Sequence, residues 1–128
     1  MGSRVLVVED EPFIGMHLAD IAEAMGFEVA GPAMSSQSAL MVASDRPPDI
    51  AIVDANLTDG PTGPFIASQL ASAFGTEVLM VTANPELVAE GVGGVAVVLT
   101  KPYDPAEVAD VLAMLAARCQ GAASRARH

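Results

Sequence analysis

Residues 4–10 have the sequence RVLVVED, a short apolar run that ends at two adjacent carboxylates. A run of this length without alternating polar residues is typical of a strand buried on both faces of a parallel sheet. Side chains at the carboxyl ends of such strands converge on one crevice, where ligands bind. The stretch therefore predicts a buried parallel strand that delivers Glu9 and Asp10 to the functional edge of a sheet.

The same arrangement recurs three more times along the chain. In each case a polar residue follows a run rich in Val, Ile and Leu: Asp54 after residues 50–53, Thr82 after residues 78–81, and Lys101 after residues 95–100. Lys101 is the only lysine in the chain, so it is less easily interpreted as one of many solvated surface charges. We expect the carboxylates, the hydroxyl and the amine to meet at one edge of the sheet.

The composition is that of one acidic globular domain. The chain has 128 residues, 52% of them hydrophobic, and a formal net charge of −10, which allows a single domain with a proper core. The acidic excess argues against nucleic acid and anionic membranes as partners and favours divalent cations. No apolar segment is long enough to span a bilayer, and Cys119, the only cysteine, cannot form an internal disulfide. We therefore expect a cytoplasmic protein.

Strand and helix patterns alternate throughout the chain, which predicts a doubly wound α/β sandwich around a five-stranded parallel sheet. Predicted strands cover residues 4–8, 28–30, 50–54, 77–82 and 95–100. Predicted helices cover residues 12–25, 36–44, 65–74, a short stretch at 85–90, and 104–119. We expect Gly31-Pro32 to stop the second strand and residues 120–128 to form a disordered tail, so that the domain spans residues 4–119.

Glu9, Asp10 and Asp54 suggest a metal site. Three carboxylates held close together repel one another unless a cation offsets their charge. Oxygen ligands of this kind suit Mg²⁺, which uses one or two carboxylates together with phosphate oxygens. The alternative interpretation is that Glu9 and Asp10 only begin a loop and cap the first helix.

Asp54 is the best candidate for a nucleophile, because a carboxylate can attack phosphorus and form an aspartyl-phosphate. Phosphoryl transfer needs positioning and charge neutralisation, for which Lys101 offers a point charge and Thr82 a hydroxyl donor. Asp59 is a rival acceptor, but turn preference alone explains an aspartate in Asp59-Gly60-Pro61. His17 is interpreted as an ordinary helix residue.

With these motifs in this order, residues 4–119 resemble a receiver domain of bacterial response regulators. The matching residues are Glu9-Asp10, Asp54, Thr82-Ala83 and Lys101-Pro102, each at the carboxyl end of a predicted strand. The resemblance implies a flavodoxin-like sheet with a short fourth helix, a cis bond between Lys101 and Pro102, and transfer of a phosphoryl group from a sensor histidine kinase or a histidine phosphotransfer protein. It also implies an unknown downstream protein partner.

The resemblance further assigns a role to each site residue. Asp54 is the phospho-acceptor, and Glu9, Asp10 and Asp54 hold Mg²⁺ together with the backbone carbonyl of Asn56. Thr82 follows the phosphoryl group, and Lys101 contacts it.

Two positions depart from the family pattern. Many receivers carry Tyr or Phe three residues before the lysine, where this chain has Val98, so the usual aromatic switch is missing. Tyr103 is not at that position and is interpreted as an aromatic packed at the start of the last helix. Glycines at positions 91, 93 and 94 predict a stunted fourth helix. In the family this helix, the fifth strand and the fifth helix commonly form the output or dimer face, which we therefore expect to be mobile here.

Two other functions compete with a phosphorylated switch. A Mg²⁺-dependent phosphohydrolase of the haloacid dehalogenase type also uses a nucleophilic Asp, a Thr and a Lys, but it requires a second Asp where this chain has Asn56. A receiver-like interaction module that is never phosphorylated is the other alternative. The switch itself is expected to act through protein contacts, to pass the phosphoryl group on, to serve as a phosphate sink, or to be a piece of a longer regulator.

Overall fold

One parallel sheet of five strands forms the centre of the molecule, with helices on both faces. The computed structural model describes residues 3–88 and 93–126. The strands follow the order β2-β1-β3-β4-β5 across the sheet, and every neighbouring pair is parallel. Their bounds are β1 (Arg4–Val8), β2 (Glu28–Ala33), β3 (Ile50–Val53), β4 (Glu77–Thr82) and β5 (Val95–Thr100).

Four α-helices and one turn of 3-10 helix connect these strands in the described part of the chain. The helices are α1 (Pro12–Ala24), α2 (Ser36–Asp45), α3 (Gly63–Phe74) and α4 (Pro105–Ala126), and the 3-10 turn covers Pro85–Val88. The doubly wound architecture predicted from the alternating pattern is therefore confirmed.

Each face of the sheet has its own buried core. Leu6 and Val8 of β1 pack with residues of α2 and α3 on one face, whereas Val5 and Val7 pack with residues of α1 and α4 on the other. Consecutive strand residues point to opposite faces, so a strand covered on both sides must be apolar at every position. This requirement explains the unbroken apolar runs of the sequence.

The predicted end of the second strand was wrong. The strand does not stop at Gly31-Pro32 but continues to Ala33, where the register with β1 shifts between Leu6 and Val8. The backbone N–H of Glu9 donates to the Ala33 carbonyl over 2.8 Å. This long-range hydrogen bond extends the pairing beyond a dipeptide that locally disfavours a strand.

The predicted end of the last helix was also wrong. Helix α4 continues to Ala126 rather than ending near Cys119, so the disordered tail expected over residues 120–128 is a helix up to that point. Residues 121–126 include three alanines, whose high helix propensity sustains a helix without an apolar stripe. Residues 127 and 128 lie outside the described residues.

The remaining differences lie in shorter segments. Helix α3 begins at Gly63 rather than Phe65 and ends, as predicted, at Phe74, where Gly75 caps it with a positive φ of 68°. The short helix predicted over residues 85–90 is a single 3-10 turn up to Val88, and residues 89–92, including Gly91, lie outside the described residues. The Lys101–Pro102 bond is cis, as is Gly31–Pro32.

Candidate functional site

The carboxyl ends of four adjacent strands carry the polar residues singled out in the sequence. Asp54 directly follows β3 and is held against β1 by a hydrogen bond from its N–H to the Val8 carbonyl over 2.9 Å. Lys101 directly follows β5, and its N–H donates to the Thr82 carbonyl over 2.9 Å. Backbone pairing between neighbouring strands therefore brings residues from distant parts of the chain to one edge.

The Lys101 ammonium lies between two carboxylates. Its Nζ is 2.7 Å from Glu9 Oε1 and 2.9 Å from Asp54 Oδ2. Glu9 is 1% exposed and Asp54 8% exposed, so both carboxylates are largely shielded from water. Such shielded charges need compensation, and the ammonium supplies it to both at once.

The second oxygen of each carboxylate is also hydrogen-bonded. Glu9 Oε2 accepts from the N–H of Glu11 over 3.1 Å, and Asp54 Oδ1 accepts from the N–H of Asn56 over 3.3 Å. The two loops that follow β1 and β3 thus fix the orientation of the carboxylates with their own backbones. The cluster is consequently preorganised before any ligand binds.

Glu9, Asp10 and Asp54 form a group that fits a divalent cation. Each offers one carboxylate oxygen, and these oxygens lie within 4.8 Å of one another. A hard cation such as Mg²⁺ prefers oxygen ligands of this kind, and the need for a positive charge is already evident in the position of the Lys101 ammonium. The structure therefore brings together the three carboxylates that the sequence predicted as metal ligands.

The charges at this site perturb each other's ionisation. Burial raises the pKa of Glu9 to about 7, against the lowering effect of the hydrogen bond from Lys101. Burial lowers the pKa of Lys101, but the hydrogen bonds to Glu9 and Asp54 outweigh it, so the net shift is upward. The ammonium therefore stays charged near neutral pH, while Glu9 binds a proton more readily than an ordinary glutamate does.

Thr82 ends β4 and is fully buried. Its hydroxyl oxygen accepts from the N–H of Asn84 over 3.0 Å, which fixes the turn after β4. A hydroxyl that accepts one hydrogen bond still has its own hydrogen to donate. Thr82 is therefore able to serve as a hydroxyl donor next to the β3 and β5 ends, the role that the sequence suggested for it.

Asp59, the rival acceptor, forms hydrogen bonds with residues of two neighbouring segments. Its carboxylate accepts from the N–H and hydroxyl of Ser36, the latter over 2.5 Å, and from the Thr62 hydroxyl over 2.7 Å. The Ser36 and Thr62 hydroxyls lower the pKa of Asp59 to about 2. Asp59 thus ties the start of α2 to the loop before α3, a contact that its turn motif did not reveal.

The sequence interpretation also missed a contact between His17 and Tyr103. The Tyr103 hydroxyl is 2.6 Å from His17 Nδ1, and the two rings stack with centroids 5.6 Å apart. These residues are far apart in sequence and neither belongs to a local motif, so nothing in the sequence indicated the pair. Val98, at the position of the missing aromatic, is 39% exposed on β5.

Within the described residues, no helix combines the length and the apolarity needed to cross a membrane.

Comparisons with known proteins agree with this architecture. The phyllosphere-induced regulator PhyR of Methylorubrum extorquens is 32% identical over 130 residues, which cover 100% of this chain and 49% of PhyR. The chemotaxis protein CheY of Thermotoga maritima is 29% identical over 125 residues, which cover 88% of this chain and 96% of CheY. This chain thus spans about half the length of PhyR and nearly all of CheY.

A solved structure shows the same fold. The receiver domain of the Erythrobacter litoralis PhyR response regulator, solved by NMR, superposes with a TM-score of 0.82 at 28% identity and covers 89% of both chains. The family model of the response regulator receiver domain matches residues 5–113. Since that match covers most of the chain, including all the candidate site residues, the chain belongs to the response regulator receiver domain family.

Proposed function

We propose that this receiver domain is a switch operated by Mg²⁺-dependent phosphorylation of Asp54. The phosphoryl donor is a sensor histidine kinase or a histidine phosphotransfer protein, and the phosphorylated domain contacts a downstream protein in the cytoplasm. The observation that carries the proposal is the Asp54 carboxylate, which pairs with the Lys101 ammonium and lies beside the carboxylates of Glu9 and Asp10.

The geometry suits attack by Asp54 on phosphorus. One Asp54 oxygen forms the new bond to phosphorus while the bond from phosphorus to the donor's leaving group breaks, and the electron pair departs with that group. Hydrogen bonds from Asn56 and Lys101 hold the carboxylate in place, so little reorientation is needed. Positioning of this kind provides much of the rate enhancement in phosphoryl transfer.

Charge neutralisation is the second requirement of the reaction. Mg²⁺ held by Glu9, Asp10, Asp54 and the carbonyl of Asn56 would offset the negative charge on the phosphoryl oxygens. With Glu9 as a ligand of the cation, the Lys101 ammonium would lose this partner and would be free to contact a phosphoryl oxygen. The Thr82 hydroxyl donates to another phosphoryl oxygen and so links phosphorylation to the loop after β4.

The two alternatives are less well supported. A phosphohydrolase of the haloacid dehalogenase type needs a second carboxylate two residues after the nucleophile, where this chain has Asn56, and the family match is to signalling domains. An interaction module that is never phosphorylated has no need of three clustered carboxylates beside a lysine. The net charge of −10 speaks against nucleic acid or an anionic membrane as the partner.

Intact-protein mass spectrometry after incubation with phosphoramidate and Mg²⁺ tests the proposal. We expect the wild type to gain one phosphate that is labile to hydroxylamine and absent without Mg²⁺. Asp54→Asn should gain none, whereas the matched Asp59→Asn variant should be labelled like the wild type.

Labelling of Asp54→Asn would place the acceptor elsewhere. A wild type that binds Mg²⁺ but is labelled by neither phosphoramidate nor a histidine phosphotransfer protein would favour the unphosphorylated module.

A further inference from the structure

A second bridge joins α1 to the segment that follows β5, next to the bridge between Glu9 and Lys101. The Tyr103 hydroxyl is 2.6 Å from His17 Nδ1, and the rings stack at an interplanar angle of 26°. His17 is exposed on α1, whereas Tyr103 is half-buried and packs against the core between the sheet and helices α1 and α4. The segment after β5 is therefore anchored to α1 by both an apolar and a polar contact.

This anchor lies close to the phosphorylation site. Tyr103 is only two residues after Lys101, and both line an open pocket of about 470 Å³ together with Ile14, His17 and Pro102. Burial raises the pKa of Tyr103, and the charges of Lys101 and Glu9 act on it in opposite directions. The Tyr103 hydroxyl is thus within electrostatic reach of the two charged groups that pair across the site.

Lys101 needs such an anchor because β5 is an edge strand. Among the strands that the structure describes, β5 pairs with β4 alone, and the N–H of Lys101 donates to the Thr82 carbonyl on that side. In the resting structure the ammonium is further held by Glu9 and Asp54. When a cation and a phosphoryl group take over these carboxylates, the side chain loses both partners, and the backbone must keep it in place.

We propose that the His17–Tyr103 pair positions Lys101 by clamping the segment after β5 onto α1, so that the ammonium stays at the phosphoryl group when it loses Glu9 and Asp54. The inference rests on phosphorylation of Asp54. Among the described residues, the side-chain hydrogen bond of the pair joins His17 to Tyr103 and not to a proposed metal ligand, so the pair is proposed to act through Lys101.

Three variants separate the hydrogen bond from the packing. Tyr103→Phe keeps the stacked ring and removes the hydroxyl, His17→Leu removes its partner, and His17→Gln retains a polar partner of similar reach. We expect Tyr103→Phe and His17→Leu to lower the maximal rate of phosphorylation by phosphoramidate about two- to tenfold, the effect of one net hydrogen bond. The Mg²⁺ concentration for half-maximal rate should not change, and His17→Gln should keep most of the rate.

Coupling to Lys101 distinguishes positioning from general stability. In a Lys101→Gln background, Tyr103→Phe should have no further effect on the rate, because residues that act through one another are not additive. An equal loss in both backgrounds, or an unchanged rate in Tyr103→Phe alone, would overturn the inference.

Hydrogen exchange tests the clamp without any phosphorylation. The amide of Lys101 should exchange faster in Tyr103→Phe and in His17→Leu than in the wild type and His17→Gln. The exchange of the Asp54 amide, directly after the central strand, should not change. Equal exchange at Lys101 in all four proteins would refute the clamp even if Asp54 is phosphorylated. A wild type that is not phosphorylated would instead refute the proposed function, and exchange at Lys101 would still decide on the clamp.

Discussion

Replacement of Lys101 by Ala tests the charge balance on which the site depends. The substitution removes an ammonium that is 2.7 Å from Glu9 and 2.9 Å from Asp54. Loss of one partner from a buried ion pair typically costs about 3–5 kcal/mol. The loss should be smaller here, about 2–3 kcal/mol, because Lys101 is partly exposed and because Glu9, with a pKa of about 7, can take up a proton instead.

The matched control is Arg46→Ala. Arg46 pairs with Glu28 over 2.9 Å, but the two side chains are 59% and 49% exposed, and exposed pairs of this kind contribute about 0–1 kcal/mol. Urea unfolding followed by circular dichroism near neutral pH, without Mg²⁺, measures both variants. A loss in Lys101→Ala no larger than that in Arg46→Ala would refute the argument that shielded carboxylates depend on the ammonium.

Magnesium should compensate for the missing ammonium. At ten times its dissociation constant, an ion that binds only the folded state adds about 1.4 kcal/mol to the free energy of unfolding. At any one Mg²⁺ concentration, the free energy of unfolding should rise less in the wild type than in Lys101→Ala. In the wild type the ion has to compete with the Lys101 ammonium for Glu9 and Asp54. An equal gain in both proteins would show that the ammonium and the ion do not share ligands.

Three further predictions concern residues around the site. Val98→Ala should change stability by no more than about 0.5 kcal/mol and leave Asp54 phosphorylation intact, since Val98 is 39% exposed; a signalling defect at normal stability would reveal a switch role after all. The pKa of Asp59 is about 2, below its ordinary value of 3.8. Its ionised form therefore stabilises the fold fully at pH values above 3.8, and this contribution is lost as the pH falls from there toward 2. The difference in unfolding free energy between the wild type and Asp59→Asn should therefore shrink on acidification in that range, and a constant difference would contradict the carboxylate's role. Finally, a Cβ at Gly63 would collide with the backbone of Asp54 and Ala55, whereas one at Gly93 meets nothing within 4 Å. Gly63→Ala should thus lose about 1–3 kcal/mol and perturb Asp54 labelling, while an equal effect of Gly93→Ala would point to a cause other than crowding.

The sequence was most informative where a residue's structure depends on its neighbours in the chain. Strand β1 and the two carboxylates after it were predicted at the observed positions, because an unbroken apolar run can be satisfied only between two covered faces. The end of α3 before Gly75 was likewise predicted, because glycine readily adopts the positive φ that often ends a helix.

The predicted end of β2 was wrong because a distant partner outweighed a local preference. Gly31-Pro32 disfavours a strand, yet β2 continues because Ala33 accepts a hydrogen bond from Glu9 on the neighbouring strand. The end of α4 was placed too early because the apolar stripe stops near Cys119, whereas alanine-rich sequence continues the helix to Ala126 without one.

The sequence alone determined the order of strands and helices and the kind of residue that closes each strand, because both follow from the local pattern of apolar and polar side chains. It thereby also indicated which carboxylates, hydroxyl and amine would share an edge. Only the tertiary structure decided which atoms of that edge are partners: Lys101 between Glu9 and Asp54, Asp59 with Ser36, and Tyr103 with His17. These contacts depend on how α1, α2 and the strand ends pack together, and packing across tens of residues leaves no periodic signal in the chain.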